Sequence, residues 1–206
     1  MMLELNDTDI ISKGSNRWCI AHPYDPSKCV KVLFAKTPEK ERIREQKYYK
    51  VLDRKGISSP FIAKMFSEVK TNKGIGVEFE LVRDYDGQIS RTIDHYLTLE
   101  SRTSKEHAVQ CLATLKRFLY KHAIVSRDLS SKNILLRKTA PDVFSPVLVD
   151  SLGHGYFIPL CDYIDTYARR ILLRVWRRNR KKWWGEYAEV YERLGSEADF
   201  HRDLRP

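Results

Sequence analysis

The stretch SRDLSSKN, at residues 126–133, decides the fold that the sequence predicts. Its two site candidates, Asp128 and Asn133, follow a predicted long helix (104–122) and a short apolar run. Asp150 lies seventeen residues beyond Asn133, at the end of an apolar strand-like run. Asp and Asn also favour ordinary turns, so neither residue by itself indicates a site. We expect a tight loop between two short strands to bring these three side chains together at one site.

The spacing of these three residues resembles the catalytic loop and metal site of kinases. That loop reads H-R-D-x-x-x-x-N, and a strand and a metal-binding Asp follow it. Here only the leading His is replaced, by Ser126. Phosphoryl transfer depends on positioning and charge neutralisation, and Mg²⁺ prefers hard oxygen ligands. The resemblance therefore implies Asp128 as the catalytic base, and Asn133 with Asp150 as ligands of Mg²⁺.

Two further catalytic candidates lie in the first third of the chain. Lys31 sits in the middle of a predicted strand, and Glu45 lies on the apolar face of a predicted helix at 39–54. A carboxylate on an apolar face needs a partner, because burying an unpaired charge is costly. We expect Lys31 to pair with Glu45 and to contact the α- and β-phosphates of ATP. Glu41, one turn earlier, is an alternative to Glu45.

The remaining nucleotide-binding candidates are backbone positions. Gly14, in the turn at 14–17, is expected to cover the nucleotide, although it is equally interpretable as an ordinary turn glycine. Residues 80–82, from Glu80 to Val82, should form the link whose backbone meets the adenine. With Lys31 and Asn133, these residues make up the predicted ATP site. Arg127 is interpreted as a structural residue that pairs with a nearby carboxylate.

Several segments resemble more closely the small bacterial YrbL family of the PhoP regulatory network. The segments that carry this resemblance are residues 14–23, 29–32, 45–49, 84–87, 132–135 and 149–150. The wider resemblance to the kinase-like superfamily covers the chain from about residue 10 to 155. Family membership implies a kinase-like fold but identifies no substrate.

The chain departs from protein kinases at functionally informative positions. The turn at 14–17 has one glycine where the kinase loop has three, and residues 150–153 read DSLG in place of D-F-G. No A-P-E follows, and only 56 of the 206 residues come after Asp150, too few for a peptide-docking platform. We therefore predict an ATP- and Mg²⁺-dependent phosphotransferase for a small-molecule or lipid-linked hydroxyl. The alternative is a pseudokinase that acts as a regulatory interaction module.

The net charge of +10 is concentrated in one segment. Residues 169–182 hold eight basic residues and no acid, and the rest of the chain has 29 basic against 27 acidic residues. One interpretation is a helix whose cations are solvated while its core side holds Ile171, Leu172, Val175 and Trp176. Another is that 169–184 binds an anionic membrane or a phosphorylated partner. Nucleic acid is a weaker alternative.

Composition excludes several classes of protein. The chain is 31% charged and 42% hydrophobic, which excludes wholesale disorder and collagen-like repeats. No run of 18 apolar residues could span a membrane, and the first residues contain no apolar signal segment. We therefore expect a cytoplasmic protein. Its four cysteines lack zinc-ligand spacing and are expected to be reduced thiols.

The predicted fold class is α+β, with a bilobal kinase-like architecture. Residues 1–83 should form an N-terminal lobe with an antiparallel sheet and one helix. Residues 84–206 should form a shortened, mostly helical lobe that carries the catalytic loop and the basic helix. Residues 84–87 mark the boundary, 140–146 a loop, and 186–194 a last short helix.

Overall fold

The computed structural model describes residues 2–99, 102–155 and 160–184. The architecture is α+β, with two antiparallel sheets and four α-helices in these residues. The predicted helix at 186–194 lies outside the described residues. The first part of the chain contains β1 Ile10–Lys13, β2 Arg17–Ala21, β3 Lys28–Leu33, α1 Lys40–Arg54, β4 Met65–Thr71 and β5 Gly74–Glu80. The second part contains β6 Arg91–Thr92, α2 Ile93–Thr98, α3 Arg102–Lys121, β7 Ile134–Ala140, β8 Val143–Leu148 and α4 Asp165–Trp184.

The first sheet has five strands in the order β1-β2-β3-β5-β4, and every neighbouring pair is antiparallel. The predicted hairpin of β2 and β3 is confirmed, with Cys19 opposite Lys31. Its turn is stabilised by Asp25, whose Oδ1 accepts hydrogen bonds from the backbone and the hydroxyl of Ser27 at 3.0 and 2.6 Å. Such Asx turns satisfy the backbone locally.

Helix α1 follows β3 and packs its apolar side into the main core. Glu45, Tyr48, Tyr49 and Leu52 are all buried, which confirms the predicted face. The Tyr49 hydroxyl donates to the carbonyl of Ala63 at 2.8 Å. A buried tyrosine hydroxyl needs such a partner, so this bond orients the helix relative to the strand that follows.

Helix α3 provides the core of the second part. Ala108, Leu112, Leu115 and Leu119 are fully buried, as the helical spacing predicts. The helix ends where Ala123 adopts a left-handed conformation, with φ of 51°. The buried run 123–125 then leads directly into the loop at 126–133.

The prediction of a loop at 140–146 is wrong. Residues Val143–Leu148 form strand β8, which pairs with β7 around a two-residue turn in which Asp142 has φ of 57°. Pro146 lies opposite Leu136 in β8, an edge strand of the sheet ordered β6-β7-β8. Proline is tolerated on an edge because its missing N–H removes no bond that an outer neighbour needs.

The two parts of the chain share one hydrophobic core. That cluster includes Tyr48 and Phe79 from the first part, and Leu115 and Leu172 from the second. Backbone bonds also join them: Leu148 N donates to Phe61 O at 2.9 Å, and Ala63 N donates to Leu148 O at 3.0 Å. The proposed division at 1–83 and 84–206 stays a prediction.

An ion pair ties α1 to the second part. The Arg127 guanidinium donates to Glu41 Oε2, which confirms the predicted carboxylate partner for Arg127. Glu41, the alternative to Glu45, therefore has a structural partner of its own. The hydrogen bond from Arg127 holds the pKa of the Glu41 carboxyl below its ordinary value of 4.5.

The substitution Glu41→Gln tests how much the ion pair of Arg127 and Glu41 contributes to stability. A carboxyl whose pKa is lower in the folded state stabilises the fold above its unfolded pKa, and that contribution is lost as pH falls. We expect the variant to lose up to about 1 kcal/mol of unfolding free energy at pH 7, since the pair is partly solvated. The difference from wild type should shrink below about pH 4.5 in urea titrations run as a pH series.

The matched control is Glu39→Gln. The Glu39 side chain is 69% exposed and lies 3.9 Å from Arg42. Its replacement should leave stability nearly unchanged at every pH. An equal loss in both variants, or a pH-independent loss for Glu41→Gln, would contradict the assigned role of the pair.

Candidate functional site

The structure brings Asp128 and Asn133 together. The Asp128 carboxylate accepts hydrogen bonds from the backbone N–H and hydroxyl of Ser130, both at 3.1 Å. It also accepts one from the side-chain amide of Asn133 at 3.2 Å. The loop closes through a short 3-10 turn at Ser131–Asn133. These bonds fix the orientation of the carboxylate before any substrate arrives.

Ser126, which stands where kinases have histidine, connects this loop to the Asp150 segment. It is fully buried. Its hydroxyl oxygen lies 3.1 Å from the Asp128 carbonyl and 3.0 Å from the Ser151 carbonyl, so it can donate to either. The Arg127 N–H also donates to Ser151 O, at 2.8 Å. Ser126 is therefore a structural link between the two predicted halves of the site.

The Asp150 segment lies directly against Asn133. Val149 N donates to the Asn133 carbonyl at 3.0 Å, and the Asn133 side-chain amide lies 3.4 Å from the Ser151 hydroxyl. Ser151 has φ of 63°, a conformation that is uncommon for a residue other than glycine. The backbone therefore turns sharply just after Asp150, and the Ser151 N–H donates to the Asp150 carboxylate.

Gly153 anchors the end of this segment against α1. It has φ of +91°, and a Cβ atom there would lie 3.0 Å from the Cβ of Tyr48. Both the conformation and the space favour glycine. The Tyr48 hydroxyl in turn accepts the N–H of Val125 at 2.6 Å. The glycine that is displaced from the D-F-G position thus has a definite packing reason.

The expected ion pair of Lys31 and Glu45 is corrected by the structure. Glu45 is 2% exposed and is paired with Arg17, whose Nη1 donates to Glu45 Oε2. Lys31 instead donates to the carbonyl of Val149, and its Nζ lies 4.2 Å from the ring centroid of Phe79. Lys31 therefore lies beside the Asp150 segment, and its partner is not the one that the sequence predicts.

Arg17 bridges Glu45 and Asp150. Its Nη2 donates to Asp150 Oδ1 while its Nη1 holds Glu45. Burial acts to lower the pKa of Arg17, but the charges of the two carboxylates outweigh it and the pKa is raised. Burial likewise acts to raise the pKa of Asp150, and the positive charges of Lys31 and Arg17 outweigh it, so that pKa is lowered. Arg17 and Asp150 are therefore both held in their charged forms.

Sequence reasoning missed Arg17 as a site residue. A signal was present in the strand pattern, because residues two apart on a strand share a face. Arg17 and Cys19 are two residues apart on β2 and so share a face, and Cys19 lies directly opposite Lys31 on β3. A cation at position 17 is thus on the same face of the sheet as Lys31, and that face is the one toward Glu45 and Asp150.

The residues predicted to bind nucleotide lie in two regions of the structure. Gly14 N donates to Arg17 O at 2.9 Å and closes the turn between β1 and β2. A Cβ at Gly14 would meet only an ordinary contact at 3.5 Å, which favours the turn interpretation. Glu80 ends β5 and binds Arg137 through its carboxylate, while the Val82 carbonyl accepts Ser90 N at 3.0 Å. Residues 80–82 thus lie at the junction of the two sheets.

The donor set at the predicted metal site is small. Among residues 2–99, 102–155 and 160–184, no cluster of three His, Cys, Asp or Glu side chains could hold a metal ion. The amide oxygen of Asn133 and the carboxylate of Asp150 are hard oxygen donors, which Mg²⁺ prefers. Mg²⁺ commonly uses one or two protein ligands together with water and phosphate oxygens. The residues therefore fit a magnesium ion whose remaining ligands are water or phosphate oxygens.

Helix α4 carries the basic segment. Ile171, Leu172 and Val175 are buried and Trp176 packs against the core, which confirms the predicted core side. Within the part of α4 whose side chains are described, the exposed arginines are Arg170, Arg174, Arg177 and Arg178. The side chains of residues 180–184 lie outside the description. Arg178 donates to the Arg127 carbonyl, so the basic face reaches the residue before Asp128.

The four cysteines, all in the described part, are free thiols. No helix among the described residues is long and apolar enough to cross a membrane.

Comparisons with known proteins agree with the YrbL resemblance in the sequence. The family model described as PhoP regulatory network protein YrbL matches residues 3–183. The protein YrbL of Escherichia coli (strain K12) is 30% identical over 181 residues, which cover 86% of each chain. YrbL of Shigella flexneri has the same identity and coverage. The chain belongs to the YrbL family.

Proposed function

We propose that the protein is a kinase-like phosphotransferase that uses ATP and Mg²⁺. The observation that carries the proposal is the convergence of Asp128, Asn133, Asp150 and Lys31 at the junction of the two sheets. A phosphotransferase needs a base for the acceptor hydroxyl, hard oxygen ligands for the metal and a cation for the phosphates. These four residues supply all three functions within one small region.

The architecture also supports a kinase-like, two-lobed fold. A five-stranded antiparallel sheet with one helix after its third strand precedes a mainly helical part. The loop that holds Asp128 and the segment that holds Asp150 lie between these parts. ATP would enter at this junction, where the turn at 14–17 and residues 80–82 come from the first part.

Each residue has a defined proposed role. Lys31 would donate to the α- and β-phosphates, and Asn133 with Asp150 would hold Mg²⁺, which would neutralise charge on the phosphates. Asp128 accepts the proton of the acceptor hydroxyl and orients its oxygen for attack. The hydrogen bonds from Ser130 and Asn133 preorganise Asp128 for this task.

The proposed acceptor is a hydroxyl on a small or lipid-linked molecule. Among residues 151–155 and 160–184, which the structure describes after Asp150, the principal element is the single helix α4. The exposed arginines of α4 also favour an anionic membrane or phosphorylated partner over a neutral one. We propose a cytoplasmic location for this reaction.

One observation favours a second candidate function, a pseudokinase that acts as a regulatory interaction module. Arg17 contacts Asp150, the proposed metal ligand, in the structure. If that contact were permanent, the guanidinium would replace the metal and the fold would serve only to bind partners. Nucleotide titration separates the two functions.

Thermal-shift titration with ATP provides the first test. With Mg²⁺ present, ATP at 100 times its Kd should stabilise the wild type by about 2.7 kcal/mol and raise its Tm by several degrees. Asp150→Asn should lose the magnesium-dependent part. Asp7→Asn, at an exposed aspartate paired with Lys73, is the matched control and should respond like wild type. No magnesium-dependent stabilisation of the wild type would exclude the enzyme.

Asp128→Asn tests the catalytic base. With radiolabelled ATP and water as the acceptor, basal phosphoryl transfer should fall by about 10²-fold or more, since a general base contributes on that scale. The Kd for Mg²⁺·ATP should stay within about twofold of wild type, because Asp128 is assigned to the acceptor and not to the nucleotide. Ser130→Ala keeps the carboxylate and loses one donor, so its transfer rate should fall less. A parallel loss of ATP binding in Asp128→Asn would show that its role is misassigned.

A further inference from the structure

We infer that Arg17 is a resident counter-ion of the metal site, which a divalent cation must displace. In the structure its guanidinium neutralises Asp150 and Glu45 together. The inference rests on the proposed function for the identity of the metal ligands, and it adds a residue and a competition that the kinase motifs do not include. Arg17 thus sets the affinity of the site for divalent cations.

The burial of Glu45 explains why a counter-ion is needed. Glu45 is 2% exposed, and an uncompensated carboxylate at such a position would be strongly destabilising. Arg17 is well suited to the task because its planar guanidinium can serve two carboxylates at once. Its side chain is itself only 17% exposed, so little water screens the two contacts.

The same contacts oppose metal binding. Asp150 Oδ1 already accepts from Arg17 and from the Ser151 N–H. Inner-sphere coordination of Mg²⁺ by Asp150 would place two cations on one carboxylate, and their mutual repulsion must be relieved. Arg17 is the cation that can move, because it lies at the first position of β2, beside the turn at 14–16.

Lys31 offers a second cation for Glu45, because it lies on the same face of the sheet as Arg17. Glu45 Oε1 is buried and has no hydrogen-bond partner. Lys31 is 8% exposed and rests on the Val149 carbonyl, next to Asp150. When Arg17 is displaced, Lys31 takes over the charge of Glu45.

The test measures Mn²⁺ binding to the full chain without nucleotide, by electron paramagnetic resonance of the free ion. Arg17→Gln removes the charge and keeps a polar side chain. It should bind Mn²⁺ at least about tenfold more tightly than wild type, which corresponds to about 1.4 kcal/mol. Adding Asp150→Asn to this variant should abolish the gain, since the metal would lose its carboxylate.

Arg42→Gln is the matched control. Arg42 also contacts two glutamates, Glu39 and Glu68, and neither belongs to the proposed metal site. Its replacement should leave Mn²⁺ affinity unchanged. If Arg17→Gln does not fold, Arg17→Lys replaces it, because one ammonium serves the two carboxylates less well and should give a smaller gain. Equal Mn²⁺ affinity in wild type and the folded Arg17 variants overturns the inference.

The outcomes separate this inference from the proposed function. Mg²⁺·ATP binding by the wild type, with Mn²⁺ affinity unaffected by Arg17, overturns the inference and leaves the phosphotransferase standing. An Asp150-dependent gain in Mn²⁺ affinity, without any ATP binding, supports the counter-ion role and overturns the phosphotransferase.

Discussion

Two carboxylates, Glu45 and Asp150, and the guanidinium between them form the interaction on which the rest of the site depends. Arg17 is 28 residues from Glu45 and 133 residues from Asp150 along the chain. The ion triad therefore joins β2, α1 and the segment after β8, which backbone hydrogen bonds alone do not connect. Since a buried carboxylate without a partner is strongly disfavoured, these three elements must be arranged together.

Helix α1 is the element that receives most of these constraints. Glu45 binds the sheet through Arg17, and Glu41 binds the loop through Arg127. Tyr48, on the same helix, packs on Gly153 and accepts the N–H of Val125. A shift of α1 would thus change the contacts of both the Asp128 loop and the Asp150 segment. Because both segments contact α1, a change in the partner of Glu45 can alter the position of Asp128, the proposed catalytic base.

Much of this arrangement is predictable from the sequence, and the exceptions have physical reasons. Periodicity and turn chemistry predict the β2–β3 hairpin and the buried face of α1, and spacing predicts that Asp128 and Asn133 meet. The partner of Glu45 is not predictable in this way. Arg17 and Lys31 lie on the same face of the sheet, so the sequence pattern does not show which of the two cations is closer to Glu45. The β7–β8 hairpin is missed because Pro146 suggests a loop, whereas an edge strand accepts it.

The departures from the kinase motifs compensate one another in the structure. The hydroxyl of Ser126 reaches both the Asp128 loop and the carbonyl of Ser151, and so links the two segments that carry the proposed chemistry. Gly153, one position later than in D-F-G, still supplies a left-handed turn against Tyr48. Substitutions that merely eroded a site would leave the buried polar groups of the replaced residues themselves without partners. Here the replaced positions make new contacts that hold Asp128 and Asp150 in place, so the altered motifs are no argument against a working phosphotransferase.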